Sequence, residues 1–310
     1  MARVAKDLTE LIGRTPLLEL SRFASGAGAT VLAKLENLNP GASVKDRIAL
    51  TMVETAAREG RLPPGGTLVE PTSGNTGIGL SWVAAVKGYR VILTMPESMS
   101  LERRKLLAAF GAEIVLTPAT EGMPGAIRKA ESLVREIPGA FFPSQFDNPA
   151  NPEAHYRTTG PEIWEDTGGK VDILVAGVGS GGTLTGAGRF LREKNPKILL
   201  VAVEPSTSAV LSGKPMGPHG IQGMGAGFVP ANLDRKIVDR ILTVDTPAAL
   251  AASQELALRE GLLAGISAGA NALAARQLAQ EPEHRGKTIV TFICDTGERY
   301  LSTPLFQRNS

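Results

Sequence analysis

A single cysteine, Cys294, excludes an internal disulfide framework and any cysteine-rich metal site. The histidines His155, His219 and His284 are scattered and match no metal-ligand spacing, so no metal is expected. The formal net charge is only +2, which gives no strong field for nucleic acid or an anionic membrane. No apolar run reaches the ~20 residues that span a bilayer. The opening "MARVAKDLTELIG" lacks the apolar core of a secretory signal. There is no internal repeat and no low-complexity tail, and the phosphate loop G-x-x-x-x-G-K-[ST] is missing. These absences leave a soluble, cytoplasmic, globular protein. With 310 residues, 43% of them hydrophobic, the chain is long enough for two packed lobes.

What is present is an alternation of short apolar runs with helical patterns. "TLVEP" (67–71), "RVILTM" (90–95) and "AEIVLT" (112–117) read as buried strands. Between them lie two amphipathic stretches closed by Gly88 and Gly111, in the manner of glycines that end helices. A second series follows: "VDILVAGV" (171–178), "KILLVAVE" (197–204) and "KTIVTFIC" (287–294). Such alternation predicts an α/β protein with parallel sheets and helices on both faces. The stretch 143–162, rich in Pro, Asn and Thr, separates the two series and is the expected crossing between lobes. Cys294 ends an apolar strand and reads as a buried structural thiol.

In open α/β sheets ligands gather where strands end and helices begin. Three such turns are small and polar: "EPTSGNTG" (70–77), "GVGSGGTLTG" (177–186) and "GISAGA" (265–270). Their backbone N–H groups and hydroxyls suit the holding of anions. "GVGSGG" matches G-x-G-x-x-G after a strand, and Glu204 lies 22 residues past Gly182, which fits a dinucleotide fingerprint. The motif alone does not choose between NAD and another phosphate ligand. In "PTSGNTG", Thr72, Ser73 and Thr76 offer hydroxyls and Asn75 stands near a helix start, as in either a carboxylate cradle or an ordinary capped turn. Ser267 opens a helix, where serine is a favoured cap.

Lys45 is the odd residue. In "NPGASVKDR" (39–47), Ser43 is placed to cap the following helix, which puts a lysine in a first turn that favours acids. It is either a solvated lysine or an amine held beside a phosphate site, able to form a Schiff base.

"NPGASVKDR", "EPTSGNTGIGL", "QFDNPANPEAHYRTTGPEIW", "GVGSGGTLTGAG", "HGIQGMGAGF" and "GISAGA", in this order, resemble the cysteine synthase (O-acetylserine sulfhydrylase) family. The likeness runs from "LIGRTPLLEL" to "GERYLSTPLF", nearly the whole chain. It implies pyridoxal 5'-phosphate as cofactor in place of NAD, and the tryptophan-synthase-β-like fold (fold type II). That fold has two lobes, each with a mostly parallel sheet flanked by helices. The implied division is a larger cofactor-binding domain of 1–48 and 156–310, with a smaller mobile domain of 49–155 closing over the substrate. By resemblance Lys45 is the catalytic residue and carries the cofactor as a Schiff base. Gly179, Ser180, Gly181, Gly182 and Thr183 match the phosphate-binding turn, with Ser180 where many relatives have threonine. Asn75 matches the residue beside the cofactor's 3′-oxygen, and Ser267 the partner of the pyridine nitrogen. Thr72, Ser73, Gly74, Asn75, Thr76 and Gln145 match the positions that hold the substrate. The implied reaction is β-replacement of O-acetyl-L-serine by sulfide, giving cysteine and acetate.

Within the resemblance, "CDTGERYLST" looks closer to the second bacterial isoform, whereas "QFDNPANP" and "GVGSGGTLTGAG" look like the first. O-phosphoserine as substrate, or homocysteine as acceptor in the manner of a cystathionine β-synthase, are the alternatives. A homodimer is implied. So is a role as partner of serine acetyltransferase, whose C-terminal tail the family accepts.

Overall fold

The computed structural model describes residues 4–306. In chain order the first elements are β1 (Leu17–Glu19), β2 (Thr30–Leu35), α1 (Lys45–Arg58), β3 (Thr67–Pro71) and α2 (Asn75–Lys87). Next come β4 (Arg90–Pro96), α3 (Leu101–Ala109), β5 (Glu113–Thr117) and α4 (Gly122–Glu136). The remainder comprises α5 (Ala150–Ala154), α6 (Gly160–Asp166), β6 (Ile173–Gly177), α7 (Gly182–Lys194), β7 (Leu199–Pro205) and β8 (Arg240–Val244). Helices α8 (Thr246–Glu260) and α9 (Ile266–Gln280) and strand β9 (Thr288–Ile293) complete it. No helix among the described residues is long and apolar enough to cross a membrane.

The chain divides into two compact units. One holds residues up to Ile12 with Val44–Ala150, and the other holds Gly13–Ser43 with the chain from Asn151 on. The sequence expectation set the breaks after 48 and after 155 and put the chain before 48 wholly in the larger domain, whereas the residues up to Ile12 fall in the smaller unit. Helix α1 explains the offset at the first break: it packs on α2 from its first turn, where Lys45 and Ala49 meet Gly79, so it belongs to the smaller unit from its first residue.

In the smaller unit β3, β4 and β5 form a parallel sheet in that order. Every residue of β3 is buried, Thr67 and Glu70 included, so burial does not alternate along it. Helix α4 packs on the sheet: Ala130 clusters with Val69 and Ile92, and the Thr94 hydroxyl donates to the Ala126 carbonyl at 2.7 Å. Helix α2 ends at Gly88, whose φ of 76° is left-handed. Phe141 pairs with the edge of β3: its N–H donates to Thr67 O and its carbonyl accepts from Val69 N.

In the larger unit six strands run in the order β1-β2-β9-β6-β7-β8, with β1 antiparallel to β2 and the other neighbours parallel. Side chains alternate across the sheet. Ile173, Val175, Val201 and Val203 join the core that holds Ala268, Ala272 and Ala275 of α9. Leu174, Ala176, Leu200 and Ala202 join the opposite core with Leu184, Ala187 and Leu191 of α7. Helices therefore cover both faces, as the strand–helix alternation predicts. Strand β2 buries Lys34 completely, paired with Glu162 and Asp166 of α6 at 3.0 and 3.1 Å. The segment 143–162 is half helical, since α5, a π-helical turn (His155–Thr159) and α6 fill its second part.

Candidate active site

Lys45 is the first residue of α1, and its N-cap is Val44 rather than Ser43. Ser43 instead forms an isolated antiparallel bridge with Asp295, which takes it away from the helix end. The acid that suits the helix dipole is Asp46, the next residue, which is buried and accepts from Trp82 Nε1 of α2 at 3.2 Å. Lys45 is half-buried. Helices α1 and α2 approach closely at Gly79, where a Cβ would lie 3.0 Å from Ala49 Cβ and 3.2 Å from the Lys45 carbonyl oxygen. This packing places the start of α1 beside the first turns of α2.

The turn before α2 holds the predicted carboxylate cradle. Helix α2 starts at Asn75 with Gly74 as N-cap, no side chain caps it, and its first turn carries no acid. No side chain caps its leading N–H groups, whereas α3 and α8 are capped by Ser100 and Asp245. Thr72, Thr76 and Gln145 are buried, while Ser73, Gly74 and Asn75 are half-buried. The Thr76 hydroxyl donates to Gln145 Oε1 at 2.6 Å, and the Gly74 N–H donates to Thr72 Oγ1 at 3.3 Å. Ser73 Oγ donates to Met99 Sδ at 2.8 Å. Gln145 is held from behind by Glu70, a buried acid near the end of β3. Glu70 accepts the backbone N–H of Ser144 at 2.8 Å and of Gln145 at 3.2 Å. Burial pushes the Glu70 carboxyl up to about 7, against the lowering by these two amides, and the nearby Asp147 charge adds to the rise.

In the larger unit the turn after β6 is built almost without side chains. Gly181 takes φ +81°, a left-handed conformation, as N-cap of α7. A Cβ on Gly182 would fall 1.8 Å from Asn151 Oδ1, so the protein's own packing demands glycine there. Helix α7, like α2, has no side-chain cap and no acid in its first turn. Ser180 is buried, and its Oγ accepts from Asn151 Nδ2 at 2.8 Å. Thr183 Oγ1 lies 3.1 Å from His155 Nε2, and His155 Nδ1 lies 2.9 Å from Thr159 Oγ1. His155 and Thr159 bound the π-helical turn, a distortion that recurs at functional sites.

Ser267 is buried in the first turn of α9 but is not its cap, because Gly265 holds that position. The loop around Gly223 packs against both features of this unit. Its carbonyl lies 2.4 Å from where a Gly179 Cβ would be, and a Cβ on Gly223 itself would lie 3.3 Å from Ser267 Oγ. Met224 and Asn271 crowd the end of β6 at Gly177, whose N–H donates to Asn271 Oδ1 at 2.8 Å. Cys294 follows β9 and is half-buried rather than buried, with Asn271 Nδ2 donating to its sulfur at 3.4 Å.

The structure thus brings Lys45, Thr72–Thr76 and Gln145 together in one unit, and Gly179–Thr183 with Ser267 in the other. The sequence reading assigned no role to Glu70, Asn151 or His155, which hold these residues from behind. "HGIQGMGAGF" signalled the Gly223 loop, but nothing in it told which turns the loop would meet. The donor sets fit pyridoxal phosphate. An uncapped helix N-terminus with neutral hydroxyls suits a phosphate, and a buried neutral hydroxyl suits a ring nitrogen.

The family model "Pyridoxal-phosphate dependent enzyme" matches residues 8–295, and the chain belongs to that family. Relatives carry more particular names. A cysteine synthase of Staphylococcus aureus (strain N315) is 54% identical over 97% of this chain and 96% of its own length. The crystal structure of the cysteine synthase of Entamoeba histolytica superposes with a TM-score of 0.97 at 46% identity, covering 99% of this chain and 92% of that one. An O-acetylserine dependent cystathionine β-synthase from Helicobacter pylori superposes with a TM-score of 0.92 at 38% identity, covering 99% and 100%.

Proposed function

We propose that this chain is a cysteine synthase, replacing the acetoxy group of O-acetyl-L-serine with hydrosulfide to give L-cysteine and acetate. The observation that carries this reading is Lys45 at the start of α1, packed beside an α2 N-terminus that offers only neutral donors. An amine and a carboxylate cradle are what an amino-acid substrate requires. The relatives named as cysteine synthases support the choice of reaction.

Pyridoxal phosphate, when bound, accepts the electron pair left on the substrate's Cα as its proton departs. Lys45 Nζ would hold the cofactor between turnovers and, when free, would take the substrate's Cα proton. Thr72, Ser73, Gly74, Asn75, Thr76 and Gln145 would orient the substrate through its carboxylate, and Asn75 would also meet the cofactor's 3′-oxygen. The N–H groups and hydroxyls of Gly179–Thr183 hold the phosphate. Ser267 would meet the ring nitrogen with a neutral hydroxyl, which, unlike a carboxylate, would not keep it protonated and so would favour loss of the β-substituent over amino transfer. This reading also takes the enzyme to be a cytoplasmic homodimer that receives the C-terminal tail of serine acetyltransferase.

Steady-state turnover with paired substrates tests the choice. O-acetylserine with sulfide should give the highest kcat/KM. A higher value with O-phosphoserine as donor, or with homocysteine as acceptor, would replace cysteine synthesis by one of those reactions.

A further inference from the structure

The tripeptide Val-Glu-Pro closes two strands of this protein, β3 at 69–71 and β7 at 203–205. Both glutamates are buried and both receive two consecutive backbone amides. Glu204 accepts from Leu211 N at 2.8 Å and Ser212 N at 3.0 Å, and also from Ser212 Oγ. Glu70 accepts from Ser144 N and Gln145 N. A carboxylate bridging two adjacent amides fixes a loop more firmly than one neutral hydrogen bond does, because its bonds are charge-assisted.

The loop that Glu70 holds also closes on itself, since the Asp147 and Asn148 N–H groups donate to the Ser144 carbonyl at 3.1 and 2.9 Å. It leaves the β3 edge after Phe141, and Ser144 then takes φ +51°, a left-handed conformation that serine seldom adopts. The Asn148 side chain donates back to the Pro143 carbonyl at 2.8 Å, closing the loop. At the start of this turn the Glu70 carboxylate grips the backbone amides of Ser144 and Gln145, and Gln145 Oε1 in turn receives the Thr76 hydroxyl.

We propose that Glu70 is a positioning residue for substrate binding: by holding the Ser144 and Gln145 amides it sets the Gln145 side chain against Thr76 and so sets the affinity for the substrate carboxylate. This rests on the reading of Gln145 and Thr76 as carboxylate ligands. Glu70 acts through Gln145, so it should govern affinity for the amino acid and leave sulfide use and cofactor retention unchanged.

The test compares Glu70→Gln, Gln145→Ala and the double variant in the cofactor-loaded protein at pH 8.5, where the Glu70 carboxyl, at about 7, is ionised. Glu70→Gln keeps the shape and one acceptor oxygen but turns an N–H donor toward one of the two amides. Its KM for O-acetylserine should rise about tenfold, the worth of one charge-assisted hydrogen bond, while kcat, the KM for sulfide and cofactor absorbance stay within about twofold. The calorimetric Kd for L-alanine, which has no leaving group, should weaken by the same factor. Gln145→Ala should raise the same two constants, and adding Glu70→Gln to it should change them no further. If Gln145→Ala weakens L-alanine binding and Glu70→Gln does not, the positioning role is overturned and the carboxylate reading stands. If Gln145→Ala itself leaves both constants unchanged, the carboxylate reading fails and the proposal with it. Should Glu70→Gln not fold, Glu70→Asp, one methylene shorter, must show the same selective rise, and unchanged constants in that variant overturn the proposal.

Discussion

At position 267 serine and aspartate make different demands on the fold and on the chemistry. Ser267 lies in the first turn of α9, where an acid meets the positive end of the helix and gains up to ~1 kcal/mol. It is also buried, and an unpaired carboxylate there costs several kcal/mol by rough measure. Burial wins, so Ser267→Asp should lower the stability of the cofactor-free protein by about 1–3 kcal/mol. With cofactor it should lose most β-replacement activity and change the cofactor's absorbance, because a carboxylate favours a protonated ring nitrogen. Ser267→Ala should stay closer to the parent in both respects. Full turnover with an unchanged spectrum in Ser267→Asp would remove Ser267 from the ring.

Glu70 makes a prediction about pH. Its carboxyl stands at about 7 in the folded protein against an ordinary 4.5, chiefly because it is buried. The folded state therefore binds its proton more tightly than the unfolded chain does. The stability this group contributes is fully present below pH 4.5 and is lost as pH rises to 7, on the order of 3 kcal/mol across that window. Glu70→Gln, which cannot ionise, should thus gain on the parent as pH rises from 5 to about 7.5 in urea unfolding of the cofactor-free protein. A constant difference between the two over that range would contradict the raised carboxyl.

At the scale of elements, the three helices that begin at the polar turns of the site share one kind of beginning. Helices α2, α7 and α9 open on glycine without a side-chain cap, while Ser100 and Asp245 cap α3 and α8. Gly182→Ala tests the α7 turn. Its Cβ would fall on Asn151 Oδ1, so Asn151 must shift and loosen its bond to Ser180. Stability should drop by about 1–3 kcal/mol, and cofactor affinity, read by absorbance titration, should fall with it. Gly88→Ala serves as the control, since its position has no neighbour within 4 Å and only a left-handed φ of 76°. That variant should cost about 1 kcal/mol in stability and leave cofactor affinity unchanged. Equal cofactor affinity in both variants would leave the α7 turn without a role in holding phosphate.

The same scale shows what a sequence can disclose. Strands β3, β4, β6, β7 and β9 were legible because each is a nearly continuous apolar run buried on both faces. Strand β2 was not legible, because Lys34 interrupts "TVLAKL" and only its pairing with Glu162 and Asp166 makes that lysine a core residue. Strands β1 and β8 are short and mostly half-buried, with little periodicity to read. Ser43 and Ser267 looked like caps because serine favours that position. Each was displaced by a tertiary partner or by a glycine one or two residues away. The residues behind the site, Glu70 as acceptor and Asn151 as donor, are ordinary polar residues in sequence and take on meaning only once a backbone amide or the Ser180 hydroxyl oxygen lies against them.

For the molecule as a whole, the family match and the likeness to the Entamoeba histolytica enzyme extend over nearly the full chain. The residues proposed for chemistry divide by task between the compact units. The amine and carboxylate ligands lie in one, and the phosphate turn and ring-nitrogen partner in the other. Such a division ties the proposed function to one lysine, since Lys45 alone is proposed to join the cofactor covalently. Borohydride reduction of the cofactor-loaded protein, followed by tryptic mapping, examines that lysine directly. A reduced Lys45 is no longer cut by trypsin, so one pyridoxyl-bearing peptide spanning 35–47 should appear and its unmodified fragments should vanish in proportion. A pyridoxyl group on any other lysine, or an intact Lys45 cleavage in fully yellow protein, would contradict it.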